Sequence, residues 1–307
     1  MPPHRADGAP RARDDRGLAM RSLLFAPGDD ARKMAKALAG EADVVICDLE
    51  DSVAPPNKAK ARAETLAFLQ ANRAQAHRLF VRVNALDSGL VDDDLAAIIP
   101  GAPACVVLPK SLGGASVQAL GARLAVHEAI NGFADGATKI LAIATESAAA
   151  LFGMGTYAGC SARLIGLAWG AEDLGADIGV ERRRDSDGRY TDVFRHARTM
   201  TLLGAVAAGV APIDAVLADF RDLEALKRES VDANSDGFTA KMAIHPAQVP
   251  AINAAFAPSE AALAHARAVL AAFEGAGVAS LGGQMLDRPH FENAKKILAR
   301  AGGGAAR

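Results

Sequence analysis

The stretch DVVICDLED, residues 43–51, shows a pattern that recurs along this 307-residue chain. Four apolar residues follow one another, and a cluster of acidic side chains comes directly after them. An unbroken apolar run of this kind is typical of a strand buried on both faces, as in a parallel sheet. We therefore predict a buried strand here, with polar side chains at its carboxyl end.

Runs of the same kind lie on either side of this stretch. They are SLLFAPG (22–28), LFVRVN (79–84), ACVVLPK (104–110), KILAIAT (139–145), RLIGLAWG (163–170), IDAVLAD (213–219) and FTAKMAIHP (238–246). Helix candidates lie between them, at 30–39, 57–71, 115–131, 195–209 and 221–230. This alternation indicates an α/β fold, and eight strands over this length fit a (β/α)8 TIM barrel.

A doubly wound open sheet has the same alternation and is the alternative fold. Its glycine fingerprint, GxGxxG after the first strand, is absent, because the chain continues as AlaProGlyAspAsp at 26–30. We predict a disordered tail over 1–19, a TIM-barrel domain over 20–255 and a C-terminal extension over 256–307. The extension carries helix candidates at 259–274 and 288–300, with a glycine-rich turn at 277–284.

Charge and cysteine content argue against several classes of protein. The 36 acidic and 34 basic residues give a formal net charge of −2, whereas a dedicated nucleic-acid-binding protein is normally clearly basic. The three cysteines, Cys47, Cys105 and Cys160, form no CxxC pair, which favours a reducing cytoplasm over a disulfide framework. No apolar run is long enough for a membrane span, so we predict no membrane partner.

In a TIM barrel the chemistry lies at the carboxyl ends of the strands. Polar residues at the ends of the predicted strands are Glu50, Arg82, Lys110, Glu146, Asp173 and His245. Neighbouring carboxylates repel each other unless a cation lies between them, and Mg²⁺ prefers oxygen ligands. Glu146 and Asp173 follow consecutive strands and form the best pair for such a metal. The alternative is that each acid caps the helix that follows it.

The basic residues also admit two interpretations each. Arg82 lies within an apolar strand and must reach water or an anionic partner. That partner is either an acid of the DLED turn or a carboxylate or thioester oxygen of a substrate. Arg21 opens the first strand and is either a solvated strand end or an anion contact. For His245 we favour a structural role before Pro246, because no nucleophile motif accompanies it.

Taken together, the motifs at the strand ends resemble the HpcH/HpaI aldolase/citrate lyase family. They are RSLLFAPGDD, DLEDSV, VRVN, LPK, ATES, WGAEDLGAD, KMAIHPAQV and GGQMLDRPHFENAKKIL, in order over about residues 20–301. Within the family the chain is most similar to citrate lyase beta-subunit-like proteins and malyl-CoA or citramalyl-CoA lyases. One departure is ThrGluSer at 145–147, where the family often has IleGluThr, and the glutamate is kept.

The resemblance implies a TIM barrel and a Mg²⁺-dependent cleavage or formation of a carbon–carbon bond beside a thioester. It makes Glu146 and Asp173 the metal ligands, with Glu146 also close to the substrate. Arg82 falls on the family's arginine near the reacting oxygens, where it would be catalytic and substrate-binding. Glu50 falls on an acid close to the metal through water, and Arg21 falls where relatives contact the CoA phosphates.

The resemblance also assigns roles outside this cluster. Lys33 is the second expected contact to the CoA phosphates. Asp287 falls on a catalytic aspartate that, in relatives, reaches the active site of a neighbouring subunit. This implies a homo-oligomer, a trimer or a hexamer, that acts on a small CoA thioester and a 2-keto acid. No nucleic-acid partner is implied.

The sequence leaves the reaction open between related possibilities. The first is a freestanding lyase that acts on malyl-CoA or citramalyl-CoA. The second is a malyl-CoA thioesterase on the same scaffold. The third is a citrate lyase beta subunit that works in a complex, on a thioester carried by an acyl carrier protein. A relative without catalysis is disfavoured, because Arg82, Glu146, Asp173 and Asp287 are all present.

Overall fold

The computed structural model describes residues 20–273 and 278–302. Eight parallel strands follow one another around a closed barrel, and the eighth pairs with the first. They are β1 (Ser22–Pro27), β2 (Val44–Asp48), β3 (Leu79–Arg82), β4 (Cys105–Leu108), β5 (Lys139–Ile143), β6 (Leu164–Ala168), β7 (Ala211–Asp214) and β8 (Ala240–Ala243). The predicted TIM barrel is confirmed. The predicted tail over 1–19 lies outside the described residues.

Helices lie between the strands and cover the outside of the barrel. They are α1 (Ala31–Ala39), α2 (Lys58–Ala71), α3 (Val91–Ile98), α4 (Gly114–Ile130), α5 (Ala148–Phe152), α6 (Ala171–Ile178), α7 (Asp192–Ala208), α8 (Leu223–Asp236) and α9 (Val249–Phe256). The side chains of Asp30, Ser147 and Asp222 cap the amino ends of α1, α5 and α8. These caps fix where the chain turns from a strand into a helix.

One predicted strand is displaced from its observed position. We expected a strand over 213–219, whereas β7 begins at Ala211 and ends at Asp214. The apolar residues that follow, including Ala215 and Leu217, are buried in the core although they lie in a loop. The apolar run is therefore longer than the strand, because part of it fills space beneath the helices.

Alternation along the strands sets which side chains face the inside of the barrel. Val44 and Ile46 belong to the inner apolar cluster, and Val45 and Cys47 belong to the cluster shared with the helices. The same period of two places Asp48 on the inside at the carboxyl end of β2. Asp48 lies beside Arg82 in the register of β2 and β3. The barrel therefore brings these two charged groups together at its carboxyl-terminal mouth.

The predicted C-terminal extension is present beyond the barrel. It consists of α10 (Glu260–Ala272), a hairpin of β9 (Ala279–Leu281) and β10 (Gln284–Leu286), and α11 (Arg288–Gly302). Its buried apolar side chains form a small cluster of their own, Ala266, Val269, Leu286 and Ala294. No helix in the described parts of the chain has the length and apolar character needed to cross a membrane.

Candidate active site

Arg82 and the acids that follow β2 form the centre of the mouth. Arg82 donates two hydrogen bonds to Asp48, from Nε to Oδ1 and from Nη2 to Oδ2, and both are 2.7 Å long. Its Nη1 lies 3.0 Å from Oε2 of Glu50, a buried oxygen that accepts no hydrogen bond from the described residues. The salt bridge from Arg82 to the DLED turn is therefore present, and Nη1 approaches Glu50 without a hydrogen bond.

Lys110 joins this cluster from the turn after β4. Its ammonium bonds to Oε1 of Glu50 and lies 3.8 Å from the carboxylates of both Asp51 and Asp173. Its backbone N–H donates to Oε2 of Glu146. Its φ of 52° is in the left-handed region, which costs free energy for a residue with a Cβ. The surrounding contacts hold this turn in a conformation that aims both groups at the carboxylates.

Glu146 and Asp173 reach the same site from β5 and β6. Glu146 follows β5 and is 5% exposed, and Asp173 lies in the first turn of α6. Gly170, at the amino end of α6, packs against Glu146, because a Cβ at Gly170 would lie 2.7 Å from Cγ of Glu146. The close approach of this backbone leaves room for the glutamate only while residue 170 has no side chain.

Burial and mutual repulsion dominate the electrostatics of the acids. Burial raises the pKa of Glu146 to about 8, and the charges of Asp173 and Glu50 add to the rise. Burial also raises the pKa of Glu50. Asp48 behaves differently. Burial acts to raise its pKa, but Arg82 and hydrogen bonds from Ser52 and Glu50 together outweigh burial and hold the pKa of Asp48 below its ordinary value. The site thus contains carboxylates that lack enough positive charge nearby.

A divalent cation would supply that charge, and the donor set fits Mg²⁺. The described residues contain no group of three or more His, Cys, Asp or Glu side chains that could hold a metal by themselves. Mg²⁺, however, is usually held by one or two carboxylates, with water and substrate as the other ligands. Glu146 and Asp173 are such a pair. The raised pKa of Glu146 fits a site that receives a cation, as does Oε2 of Glu50, which is buried and accepts no hydrogen bond from the described residues.

A second set of polar residues holds the DLED turn in place. The ammonium of Lys58 donates to the backbone oxygens of Leu49 and Glu50 and to Asn84 Oδ1, at 2.7–2.8 Å. Asn84 in turn donates to the buried carboxylate of Asp94 at 2.7 Å. These bonds satisfy the backbone of the turn and fix the direction in which Glu50 points.

Trp169 anchors the segment that carries Gly170 and Asp173. It is buried, as expected of a packing residue, and its Nε1 also donates to Oδ1 of Asp214 at 2.7 Å. Lys241 donates to the other oxygen of Asp214 at 2.8 Å. The start of α6 is therefore tied to β7 and β8 through a buried ion pair.

Two of the predicted contact residues lie away from the cluster. Arg21 precedes β1 at the opposite, amino-terminal end of the barrel, where its guanidinium donates to both oxygens of Asp43. The expected CoA contact does not fit this position, because the anionic partner of Arg21 is internal. Lys33 is in the first turn of α1 and pairs with Asp30, with its ammonium 3.2 Å from Oδ2. It lies at the same end of the barrel as the mouth.

Asp287 belongs to the extension, and no described contact joins it to the barrel mouth of its own chain. Its half-exposed carboxylate lies 2.6 Å from Nδ1 of His290, and its backbone oxygen accepts the N–H groups of His290 and Phe291 in the first turn of α11. His245 has a structural role, as predicted, because Nδ1 accepts the backbone N–H of Ala247 at 3.1 Å.

We noted Lys110 at a predicted strand end, but found no reason in the sequence to assign it a role in the site. A single lysine after an apolar run has no pattern that separates it from a solvated strand end. The order of the strands could have identified it, since the strand before Lys110 lies between the strands that supply Arg82 and Glu146. From there its ammonium reaches Glu50 and Asp51 after β2 and Asp173 in α6, and its backbone N–H reaches Glu146 after β5.

Comparison with known proteins places this geometry in a family. The chain is 37% identical over 286 residues to the citrate lyase subunit beta-like protein of Mycobacterium tuberculosis (strain CDC 1551 / Oshkosh), covering 91% of this chain and 94% of the relative. It is 30% identical over 319 residues to L-malyl-CoA/beta-methylmalyl-CoA lyase of Cereibacter sphaeroides, covering 97% and 98%.

A solved structure agrees with both the fold and the sequence. The crystal structure of CitE from Mycobacterium tuberculosis in complex with magnesium, acetoacetate and coenzyme A superimposes with a TM-score of 0.76 at 38% identity. The match covers 93% of this chain and 99% of that one. The family model HpcH/HpaI aldolase/citrate lyase matches residues 21–246. The relatives named here are carbon–carbon lyases, and the chain therefore belongs to the HpcH/HpaI aldolase/citrate lyase family.

Proposed function

We propose that this protein is a Mg²⁺-dependent acyl-CoA lyase, which cleaves or forms the bond between acetyl-CoA and a 2-keto acid. The observation that carries the proposal is the arrangement of charge at the barrel mouth. Burial and the nearby charges of Asp173 and Glu50 oppose ionisation of Glu146, and Arg82 reaches the same cluster through Glu50. Such a mouth suits a divalent cation together with a substrate that carries oxyanions.

Glu146 and Asp173 would hold the metal in this reaction. When bound, Mg²⁺ supplies Lewis-acid polarisation of the keto oxygen and a template for the carboxylate beside it. Arg82 would stabilise the enolate oxygen of the acetyl thioester, because its guanidinium is already fixed by Asp48 and needs little reorganisation. Glu50, which lies between Arg82 and Lys110, would orient water beside the metal.

A base must remove the proton from the acetyl methyl group, and we assign this role to Asp287. Its carboxylate is half exposed and makes no described contact with the mouth of its own barrel. A neighbouring subunit would supply it, so the assembly would be a homo-oligomer, a trimer or a hexamer. Lys33 lies at the rim of the same mouth and is the remaining candidate for contact with the CoA phosphates.

A cleavage assay on purified protein tests the proposal directly. Malyl-CoA and citramalyl-CoA would be supplied separately, with Mg²⁺ and with EDTA, and the products resolved by mass. We expect acetyl-CoA with glyoxylate or pyruvate, and only with Mg²⁺. Equal turnover in EDTA would contradict the metal site.

Two other reactions are distinguished by the same assay. Free CoA with the intact hydroxy acid would identify a thioesterase. Turnover of a citryl thioester on an acyl carrier protein, with none on CoA esters, would identify a citrate lyase beta subunit. The relative named citrate lyase subunit beta-like favours including this carrier in the assay.

A further inference from the structure

The ammonium of Lys110 lies where positive charge is most needed in the cluster of acids. It bonds to Glu50 and lies 3.8 Å from Oδ1 of Asp51 and 3.8 Å from Oδ1 of Asp173. Asp173 is one of the two carboxylates assigned to the metal. The same ammonium therefore compensates an acid that the metal would have to bind.

The backbone of Lys110 is fixed much more firmly than its side chain. Ser111, the next residue, donates its N–H to Ile143 at 3.2 Å, and its hydroxyl accepts the buried hydroxyl of Tyr157 at 2.8 Å. The Lys110 side chain is 40% exposed, and its ammonium lies at the end of a flexible chain of four methylene groups. The ammonium can leave the acids while the backbone N–H stays on Glu146.

We propose that the Lys110 ammonium is an internal cation that occupies the carboxylate cluster of Glu50, Asp51 and Asp173 in the metal-free protein and is displaced when Mg²⁺ binds. The inference rests on the proposed magnesium site. Two cations within about 4 Å of each other repel strongly in a partly buried site, so the ammonium and the metal exclude one another. The backbone N–H of Lys110 orients Glu146 in both states.

This competition sets the apparent affinity for the metal. Only molecules whose ammonium has left the cluster can bind Mg²⁺, so the apparent Kd equals the intrinsic Kd divided by the fraction in that state. If about one molecule in ten is open, removing the ammonium tightens the apparent Kd about tenfold. The same change leaves the metal-free acids uncompensated, which lowers the thermal stability of the metal-free protein.

Lys110→Met tests the proposal, because methionine keeps the backbone N–H and most of the side-chain length but not the charge. Mg²⁺ binding would be measured by calorimetry, and Tm in EDTA by circular dichroism. We expect about tenfold tighter Mg²⁺ binding and a lower Tm in EDTA. Lys60→Met is the matched control, since Lys60 is an exposed lysine of α2 that pairs with Glu64 at 3.5 Å. It should change neither quantity.

The outcomes separate this inference from the proposed function. Unchanged or weaker Mg²⁺ binding in folded Lys110→Met would overturn the inference alone. An absence of Mg²⁺ binding in the wild type would overturn the metal site and the inference with it. Lys110→Gln provides a second variant if the methionine variant does not fold, and it should tighten binding in the same direction. Lys110→Arg keeps a cation and should not tighten it.

Discussion

Arg82 illustrates how one side chain can be both structural and chemical. Two of its nitrogens neutralise the buried Asp48, and the third faces Glu50 and the site. A planar guanidinium can divide its donors in this way, whereas an ammonium is a point charge. The two interpretations open from the sequence are therefore compatible, because Nε and Nη2 make the salt bridge to Asp48, while Nη1 makes no hydrogen bond to Oε2 of Glu50 and keeps donors for a substrate.

Arg82→Lys tests whether the geometry of the guanidinium matters in addition to its positive charge. Lysine keeps the positive charge but cannot hold Asp48 with two bonds and also direct a donor at the enolate. We expect kcat to fall on the order of a hundredfold or more, with a smaller change in KM. Steady-state kinetics would measure this, with Arg78→Lys as control, since Arg78 bonds to the backbone of Ala42 far from the mouth. Wild-type kcat in Arg82→Lys would contradict the assignment.

Glu146 should give the metal-free protein a distinctive pH dependence. Burial, supported by Asp173 and Glu50, raises its pKa from the ordinary value of 4.5 to about 8. Between these values the folded state binds more protons than the unfolded chain does. The stabilising contribution is complete below about pH 4.5 and is lost as the pH rises through about 8. The free energy of unfolding should therefore fall across this window, by at most about 1.4 kcal/mol per pH unit.

Glu146→Gln removes this titration while keeping the shape of the side chain. Denaturant unfolding in EDTA, from pH 5 to pH 8, should show a smaller decline in the variant than in the wild type. Identical slopes in the two proteins would show that Glu146 does not titrate in this window.

At the scale of elements, the turn from β6 into α6 controls the metal site. Gly170→Ala would place a Cβ 2.7 Å from Cγ of Glu146 and would force the glutamate to move. We expect Mg²⁺ affinity to fall about tenfold or more, since displaced ligands lose metal affinity on this scale. Gly155→Ala is the control, because nothing lies within 4 Å of a Cβ there. Calorimetry that finds equal affinity in both variants would contradict this role of Gly170.

The barrel strands were predictable because burial on both faces makes each one a continuous apolar run. Four short helices were not predicted, α3, α5, α6 and α9. Of these, α5 and α6 begin within a few residues of a strand and offer no separate periodic segment. Asp173 illustrates the consequence. It was expected at a strand end, and it lies in the first helical turn beyond that end. The predicted proximity of the acids held because both positions face the same mouth.

Sequence pattern was a weaker guide to individual side chains. Arg21 and Arg82 both border apolar strands, yet they lie at opposite ends of the barrel. Strand direction distinguishes them, since Arg21 precedes its strand and Arg82 closes its own. The role of Lys110 could be recognised only in the folded structure, because it depends on acids after β2, after β5 and in α6 that are far from Lys110 in sequence.

At the scale of the whole molecule, the separation of Asp287 from the mouth makes a clear prediction about assembly. Asp287→Asn and Glu146→Gln should each abolish turnover alone. If a neighbour supplies Asp287, a refolded mixture of the two variants should recover part of the wild-type activity, because some sites then combine an intact barrel with an intact extension. Absence of recovery in mixtures shown to contain both chains would place Asp287 in the site of its own subunit.

The small apolar cluster of the extension has a consequence for motion. Ala266, Val269, Leu286 and Ala294 form a core that is separate from the barrel core, and a hydrogen bond from Arg300 to Asn234 joins α11 to α8. A segment with its own limited core opens at a lower free energy than the whole domain does. Amide hydrogens of α10 and α11 should therefore exchange with deuterium well before those of β1–β8. The segment that carries Asp287 should therefore detach and return while the barrel stays folded, which is the motion that the proposed sharing of Asp287 between neighbouring subunits requires.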